Sequence, residues 1–493
     1  MRYWLPTLLL LAFWLARITG LEALPLHNDE GLHLFRAVEV WNLHPFWEIR
    51  DGKIINHWAI AVLYPQNAPV FTGRLPTVFI SMIGLAAGYA LLRREFGMTA
   101  AFLGCALWIG SPYLFFYERM AFSDAQAGAL AVAALWLSFR LARSGARRDA
   151  VLTGLALALA ALFKFTAIPF ALSIAFVVMA FGRSPLRQRL VNLIIVGIVV
   201  AACFAVPVAY LMLRGDDLFS IALGWIGSGS EGASVSIGSN LERLWGQLTG
   251  FGTVIWSLAL IVGLALLPLA RPRRGSLFLI TAALPLVSMI VLAREIQSRH
   301  FVAALPALLI AGGAGLGVAL DALVKNRRVI QLASVGTAAL LAAGLIPFAF
   351  TAYSAPADLP LPPLMRNQYI SQHPAGYGLR EAVLDFPETI DHPELPIIGS
   401  MFPDSCRRAN YYAIDGFNMA CTDAPGLPLI ESALRESGGA YVLVESAPLI
   451  GADIPAFAAD INASATRIAA YPRPGETAET ASVILWRLDS AHP

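Results

Sequence analysis

The feature that most constrains this chain is a series of long apolar runs broken by clusters of arginine. The first run is Tyr3 to Leu24. Further runs follow at Leu75–Leu92, Thr99–Phe115, Ala125–Ala142, Val151–Phe163, Ile168–Phe181, Leu190–Leu213, Phe251–Leu269, Leu277–Ala293, Val302–Leu320 and Val329–Phe350. About 17–25 apolar residues suffice to cross a bilayer as a helix. Inside hydrocarbon only helices and closed barrels satisfy their own backbone. The stretch Val151–Phe181 is too long for one span and holds Lys164 and Pro169, so it reads as a hairpin of two short helices. With 57% hydrophobic and only 14% charged residues, against about 25% charged in a soluble domain, the expectation is an all-α polytopic membrane protein of about eleven transmembrane helices. Arg2 and the first run would suit a signal peptide, but no small-residue cleavage site follows and Arg17 interrupts its end, so it is taken as the first span.

The arginines orient the chain. Arg93-Arg94, Arg143 with Arg147-Arg148, Arg183 with Arg187 and Arg189, Arg271 with Arg273-Arg274, and Lys325 with Arg327-Arg328 occupy every second connection. By the positive-inside rule these connections and the N-terminus are cytoplasmic, and the C-terminus is outside. Residues 1–352 form the membrane module, with an extracytoplasmic loop over 25–74. Within that loop Trp41, Trp47, Trp58 and Tyr64 suit the interface, and Leu34, Val38 and Trp41 recur at helical spacing. The Gly227–Gly238 stretch reads as a loop.

Past Phe350 the composition turns polar. Leu395–Met401, Ala440–Glu445, Thr466–Tyr471 and Val483–Leu488 read as short buried strands, and Leu429–Ser437 as a helix ending at Gly438-Gly439. Residues 353–493 are therefore expected to form a small extracytoplasmic α/β domain. Cys105 and Cys203 lie in apolar runs as small core residues. Cys406 and Cys421 face an oxidising compartment, where a disulfide between them would persist if the geometry allows it.

Unusual charge gathers on the outer side. The acids are Asp29, Glu30, Glu118 and Asp124. The cations are Arg17, Arg36, Arg74, Arg119, Lys164, Arg294 and Arg299, with His33, His57 and His300 near them. Charges at membrane depth are costly and mark function by default. Arginine holds phosphate as a bidentate fork and lysine as a point charge. A sugar leaving from a polyprenyl phosphate needs no protonating acid, because phosphate is a weak base. The acceptor hydroxyl needs one carboxylate base. Glycoside hydrolysis usually needs two carboxylates. Blander readings exist for each residue: Asp124 suits a helix N-terminus, Arg74 a snorkelling anchor, Lys164 a polar hairpin tip, and His33 and His57 interface-facing positions. Asp29-Glu30-Gly31-Leu32-His33 lacks the first histidine of the zinc motif His-Glu-x-x-His. There is no nucleic-acid footprint.

Three segments carry a family resemblance. They are Asp29-Glu30 after the first run; Gly73-Arg74-Leu75-Pro76-Thr77 with Tyr89 and Arg93-Arg94-Glu95-Phe96-Gly97; and Ser111-Pro112 followed by Glu118-Arg119-Met120-Ala121-Phe122-Ser123-Asp124. In this order they resemble the membrane glycosyltransferases of the GT-C class, in the branch of protein O-mannosyltransferases and of the bacterial aminoarabinose and galacturonic acid transferases of lipid A. Lys164, Arg299-His300-Phe301 and Gly376-Tyr377-Gly378-Leu379 are weaker echoes. Many members have a His-Pro-Pro stretch before the second span; here stand only His57-Trp58 and Tyr64-Pro65.

The resemblance implies an inverting transferase on the outer face of the inner membrane. It would move a sugar from a polyprenyl-phosphate donor to a lipid, glycan or protein acceptor. Asp29 is the expected base, with Asp124 beside it and Glu30 in support. Arg74, Lys164 and Arg299 are expected to hold the carrier phosphate, with Arg17 and Arg119 in reserve and His57 and His300 as further substrate-binding candidates. No cofactor is expected, and use of a divalent metal is left open. The competing classes are a transporter or flippase for lipid-linked sugars, which predicts charges deep in spans or repeated halves, and a ligase for whole glycans.

Overall fold

In the computed structural model the described residues are all except 1–3, 47–50, 64–67, 218–219, 222–236, 252–253, 294–295, 297, 401–404, 414–415, 418, 423–426, 446–453 and 491–493. Trp47, Tyr64-Pro65, Arg294, Met401 and most of the Gly227–Gly238 stretch lie outside them. The chain forms two compact units: Met1–Leu21, Glu39–Leu63 and Arg74–Ala355 make the first, and Glu22–Val38, Tyr64–Gly73 and Pro356–Pro493 the second. The segment that carries Asp29 thus clusters with the C-terminal residues.

Among the described residues up to Ala355 the α-helices are α1 (Trp4–Ile18), α2 (Asn28–Trp41), α3 (Asn56–Ala61), α4 (Pro69–Glu95), α5 (Met98–Ile109), α6 (Pro112–Tyr117), α7 (Ser123–Ser144), α8 (Arg147–Phe163), α9 (Phe170–Phe181), α10 (Leu186–Leu213), α11 (Ile237–Phe251), α12 (Val254–Ala270), α13 (Pro272–Leu292), α14 (His300–Leu323) and α15 (Arg327–Ser354). Among the described residues six are long and apolar enough to cross a membrane: α4, α7, α10, α13, α14 and α15. Shorter apolar helices cover Trp4–Ile18, Met98–Ile109, Phe165–Phe181 and Val254–Ala270. One expected run is corrected. Thr99–Phe115 is broken in two, because Ser111 adopts an extended conformation and accepts the Leu114 N–H through its hydroxyl while Pro112 opens α6.

Burial ranks these helices. The apolar windows of α14 and α7 are 89% and 78% buried, against 17% for α10 and α15. So α7 and α14 form the centre of the first unit. Small residues make this close approach: a Cβ on Gly313 or Gly317 of α14 would strike the backbone of α5 at Gly104 or Ala100, and one on Gly315 would strike Gly263 of α12. The N-termini of these two central helices carry Asp124 and His300.

The second unit adds α16 (Pro363–Arg366), α17 (Leu379–Thr389), α18 (Ser405–Asn410), α19 (Leu427–Ser437) and α20 (Ile454–Asp460), with strands β1 (Ile397–Ser400), β2 (Met419–Thr422), β3 (Gly439–Glu445), β4 (Ala463–Tyr471) and β5 (Val483–Ser490). The sheet order is β2-β1-β3-β5-β4; β1 runs parallel to β2 and β3, and β5 antiparallel to β3 and β4. Alternation sorts the two faces. Ile397, Tyr441, Leu443, Val483 and Leu485 pack with Leu379, Val383 and Phe386 of α17. Ile398, Val442, Val444 and Leu488 pack with Ile430 and Leu434 of α19 and Ile454 of α20. β2 was not legible in the sequence, since a four-residue edge strand shows too little periodicity. β4 is corrected from buried to largely accessible: it is the sheet edge, with an irregular register between Arg467 and Ala469. A disulfide joins Cys406 of α18 to Cys421 of β2.

Candidate functional site

In the first unit the candidate site is built at three helix ends. Phe122 is extended, and α7 starts at Ser123 with Asp124 in its first turn, where the helix dipole favours an acid. α8 ends at Phe163, and extended backbone at Lys164 turns its side chain out of the helix. Lys164 Nζ donates to Asp124 Oδ1 at 2.6 Å, with the side chains only 10% and 2% exposed. Arg299 precedes α14 and lies over the Phe122 ring at 5.9 Å; His300 opens α14. Arg299, His300 and Lys164 are all close enough to Asp124 to act on its charge.

Sequence reasoning missed one member of this group. Lys53 interacts electrostatically with both Lys164 and His300, and pairs with Asp51 at 3.4 Å. Its loop is tied to the end of α8, where the N–H groups of Ile54 and Ile55 donate to Leu162 O at 3.0 and 3.1 Å. Gly52 makes the approach feasible: its φ is +76°, and a Cβ there would lie 2.5 Å from the Phe165 ring. The signal for Lys53 in the sequence was only an adjacent glycine in a polar loop. Lys164 and Arg299 thus act on the buried carboxylate and Lys53 on Lys164, so three cations stand against Asp124 and Asp51, an excess of positive charge suited to an anion.

A groove of about 500 Å³ runs between α8, α9 and α10. Its lining is almost wholly apolar. It includes Leu157, Ile174, Val196 and Phe204, and also Ile54 and Phe165, the neighbours of Lys53 and Lys164. Phe165 stacks on Phe204 at 5.7 Å.

Three other expected phosphate ligands of the first unit lie near one another. Arg74 donates to Leu21 O at 2.7 Å. Arg119 donates to Gly20 O and lies 4.8 Å over both Phe115 and Tyr353. Arg17 is fully buried between Phe13 and Phe115, donating to Glu118 Oε2 at 2.9 Å and to Ile109 O at 3.1 Å. Trp108 donates to the other Glu118 oxygen at 2.6 Å. Arg119 feels the charges of Arg74 and Arg17. Arg17 and Glu118 thus form a buried ion pair. In the same way Glu95 of the expected cytoplasmic turn is paired with Arg143 and Arg274.

In the second unit α2 starts at Asn28, directly behind the acid pair. Glu30 is fully buried and turns back on its own helix, accepting the His27 N–H at 3.0 Å. Asp29 is half-buried, and its N–H donates to His27 Nδ1 at 3.1 Å. His33 and, in the first unit, His57 are corrected from interface-facing to buried, at 1% and 0% exposure. Arg36 is buried too. Among the described residues no group of three or more His, Cys, Asp or Glu is placed to hold a metal ion.

Residues 56–210 match the family described as Dolichyl-phosphate-mannose-protein mannosyltransferase. The chain is similar in structure to ArnT from Cupriavidus metallidurans bound to undecaprenyl phosphate, with 13% identity and a TM-score of 0.65 over 98% of this chain and 97% of that one. The apo crystal structure of the same ArnT gives 14% identity and a TM-score of 0.62 over the same shares. A comparison with curated proteins gives no match. The motifs of the sequence and the shape of the whole chain agree: this is a multi-pass membrane protein with the fold of the GT-C glycosyltransferases.

Proposed function

We propose that the protein is a GT-C glycosyltransferase that moves a sugar from a polyprenyl phosphate to an acceptor on the outer face of the inner membrane, with inversion. The observation that carries this reading is the Lys164–Asp124 pair, with Arg299 acting on Asp124 and Lys53 on Lys164, beside an apolar groove. A carrier of this class has both parts, an anionic head and a long apolar tail. The cations would hold the phosphate by charge-assisted hydrogen bonds, and the groove would take the first prenyl units. The undecaprenyl phosphate held by the similar ArnT structure is consistent with such a donor.

The chemistry is one displacement. The acceptor oxygen or nitrogen attacks the anomeric carbon, the bond from that carbon to the phosphate oxygen breaks, and the carrier leaves as a polyprenyl phosphate anion. The acceptor proton goes to Asp29. Attack from the face opposite the leaving group inverts the anomeric centre. Asp124, already bonded to Lys164, orients the cations and takes no proton. His300 stands beside Lys164 and Asp124, His57 is a further substrate-binding candidate, and Arg74, Arg17 and Arg119 hold backbone carbonyls.

The test is transfer in bilayer nanodiscs, with cell-envelope lipid extract as source of donor and acceptor and mass analysis of products. Asp29→Asn keeps the shape and removes the base, so the rate should fall by about 10²–10⁴-fold while undecaprenyl phosphate still binds. Near-normal transfer by this variant would sink the mechanism. Movement of intact lipid-linked sugar across the bilayer without transfer would point to a flippase.

A further inference from the structure

The start of α2 is held by residues from far along the chain, all within the second unit. Arg408 is 0% exposed. Its Nη1 donates to His373 O at 3.0 Å, to Pro374 O at 3.2 Å and to Leu26 O at 3.5 Å. Its Nη2 donates to Glu445 Oε2 at 3.0 Å, and Arg473 donates to the other Glu445 oxygen at 2.7 Å. The stem of Arg408 lies under α2 itself: a Cβ on Gly31 would be 2.5 Å from Arg408 Cγ. So one side chain touches both the lead-in of α2 and the helical residue two positions after Asp29.

Its neighbours grip the same segment. The Leu26 N–H donates to Tyr412 Oη at 2.5 Å, and Arg380 donates to Ala23 O at 2.8 Å. The Arg407 guanidinium sits 3.8 Å from the centre of the Phe35 ring. Gly376, with φ +79°, leaves room for the lead-in; a Cβ there would be 2.5 Å from Leu26 O. This accounts for the first glycine of the Gly376-Tyr377-Gly378 motif. Burial together with the Arg408 and Arg473 charges, opposed by Glu445, keeps the His373 pKa below the ordinary histidine value, so the group adds no further charge at neutral pH.

We propose that Arg408 is a positioning residue for Asp29, fixing the first turn of α2 through Gly31 and Leu26 with Glu445 as its anchor. The proposal rests on the reading of Asp29 as base. A buried Arg–Glu–Arg set is weak evidence for stability, since well-packed apolar residues often serve as well. What an apolar side chain could not supply is a rigid fork that addresses the carbonyls of two separate segments at once. Misplacing a reacting group by about 1 Å is enough to cost on the order of 10²-fold in rate.

The experiment uses the full chain in nanodiscs, with transfer from envelope extract and binding of undecaprenyl phosphate as separate readouts. Arg408→Met should lower the transfer rate by about 10- to 100-fold while undecaprenyl phosphate affinity stays within about threefold, and Arg408→Lys should recover part of the rate. Rate loss that merely tracks the loss of folded protein, or lost affinity at full rate, overturns the proposal. Should Arg408→Met fail to fold, Gly31→Ala decides. It should slow transfer when Arg408 is present, and much less in an Arg408→Ala background, where the clash is gone; equal effects in both backgrounds refute the coupling. Asp29→Asn run alongside separates the two ideas. If it transfers normally, the base reading has failed; if it is inactive while the Arg408 and Gly31 variants are normal, only the positioning has failed.

Discussion

Two helices in this protein begin with an acid at the edge of the apolar region, and they treat it in opposite ways. At the start of α7, Asp124 is buried and bonded to Lys164 at 2.6 Å, inside a group of further cations. At the start of α2, the buried acid is Glu30, which accepts the N–H of His27 just ahead of the helix, and Asp29 beside it is half-buried. A carboxylate locked to a lysine is held ionised and directed; it is a poor collector of protons. A carboxylate reachable from solvent can accept one. The comparison therefore separates an acid that organises charge from the acid proposed as the base, though both appear in the sequence as an Asp just after an apolar run.

The sharpest way to break this comparison is to remove the partner of the buried acid. Lys164→Met should leave Asp124 with the charge of Arg299 nearby but without its hydrogen-bonded cation, and destabilise the fold by up to about 3–5 kcal/mol. Adding Asp124→Asn should recover much of that loss. Asp29→Asn, at a half-buried position, should change stability by only about 0.5 kcal/mol. Thermal melting of the purified variants checks all three. If Asp29→Asn melts far below the parent while Lys164→Met does not, the roles are reversed.

The second test lies beneath α2. The Cys406–Cys421 disulfide closes a short loop, its ends at a sequence separation of 15, beside Arg407 and Arg408. Replacing both cysteines by serine should cost about 3 kcal/mol in the chain-entropy account of such a loop. Alkylation with and without reductant checks the bond, and calorimetry checks the cost. Melting unchanged by the double substitution would show that the bond contributes nothing to this unit.

These residues show how far the sequence could be read. The apolar runs were legible because each helix must carry its own periodic or continuous apolar signal, and the arginine clusters mark the turns between them. Asp29, Asp124, Lys164 and Arg299 were legible because charge at that depth is conspicuous. What the sequence did not show were contacts between distant residues. Lys53 looks like an ordinary loop lysine until Gly52 and Leu162 bring it to the end of α8. Arg408 looks like one of two surface arginines until Glu445, at a separation of 37 residues, buries it. Arg17 and Arg119 appeared equivalent to Lys164 by charge, yet part of each guanidinium is taken up, by Glu118 and Ile109 O in one case and by Gly20 O in the other. β2 pairs with β1 at the sheet edge, and its four residues offer no pattern on their own.

The smallest expected effect sharpens the comparison between cations. Lys53 is held in part by Asp51 at 3.4 Å, so its loss exposes no buried charge and should leave folding nearly intact. Its contribution to the donor phosphate would be at the low end for a charge-assisted hydrogen bond, about 1.5 kcal/mol, or about tenfold in affinity. Arg74 differs, because its guanidinium donates to Leu21 O at 2.7 Å in a buried setting. Arg74→Ala should lower the melting temperature and leave the affinity of the remaining folded protein for undecaprenyl phosphate close to the parent's. Lys53→Ala should do the reverse, weakening binding at an unchanged melting temperature, with the loss shrinking as salt screens the exposed part of the interaction. Titration of undecaprenyl phosphate into both variants at two salt concentrations makes the measurement. Equal weakening by both substitutions would return Arg74 to the phosphate site and dissolve the division between the two groups of cations.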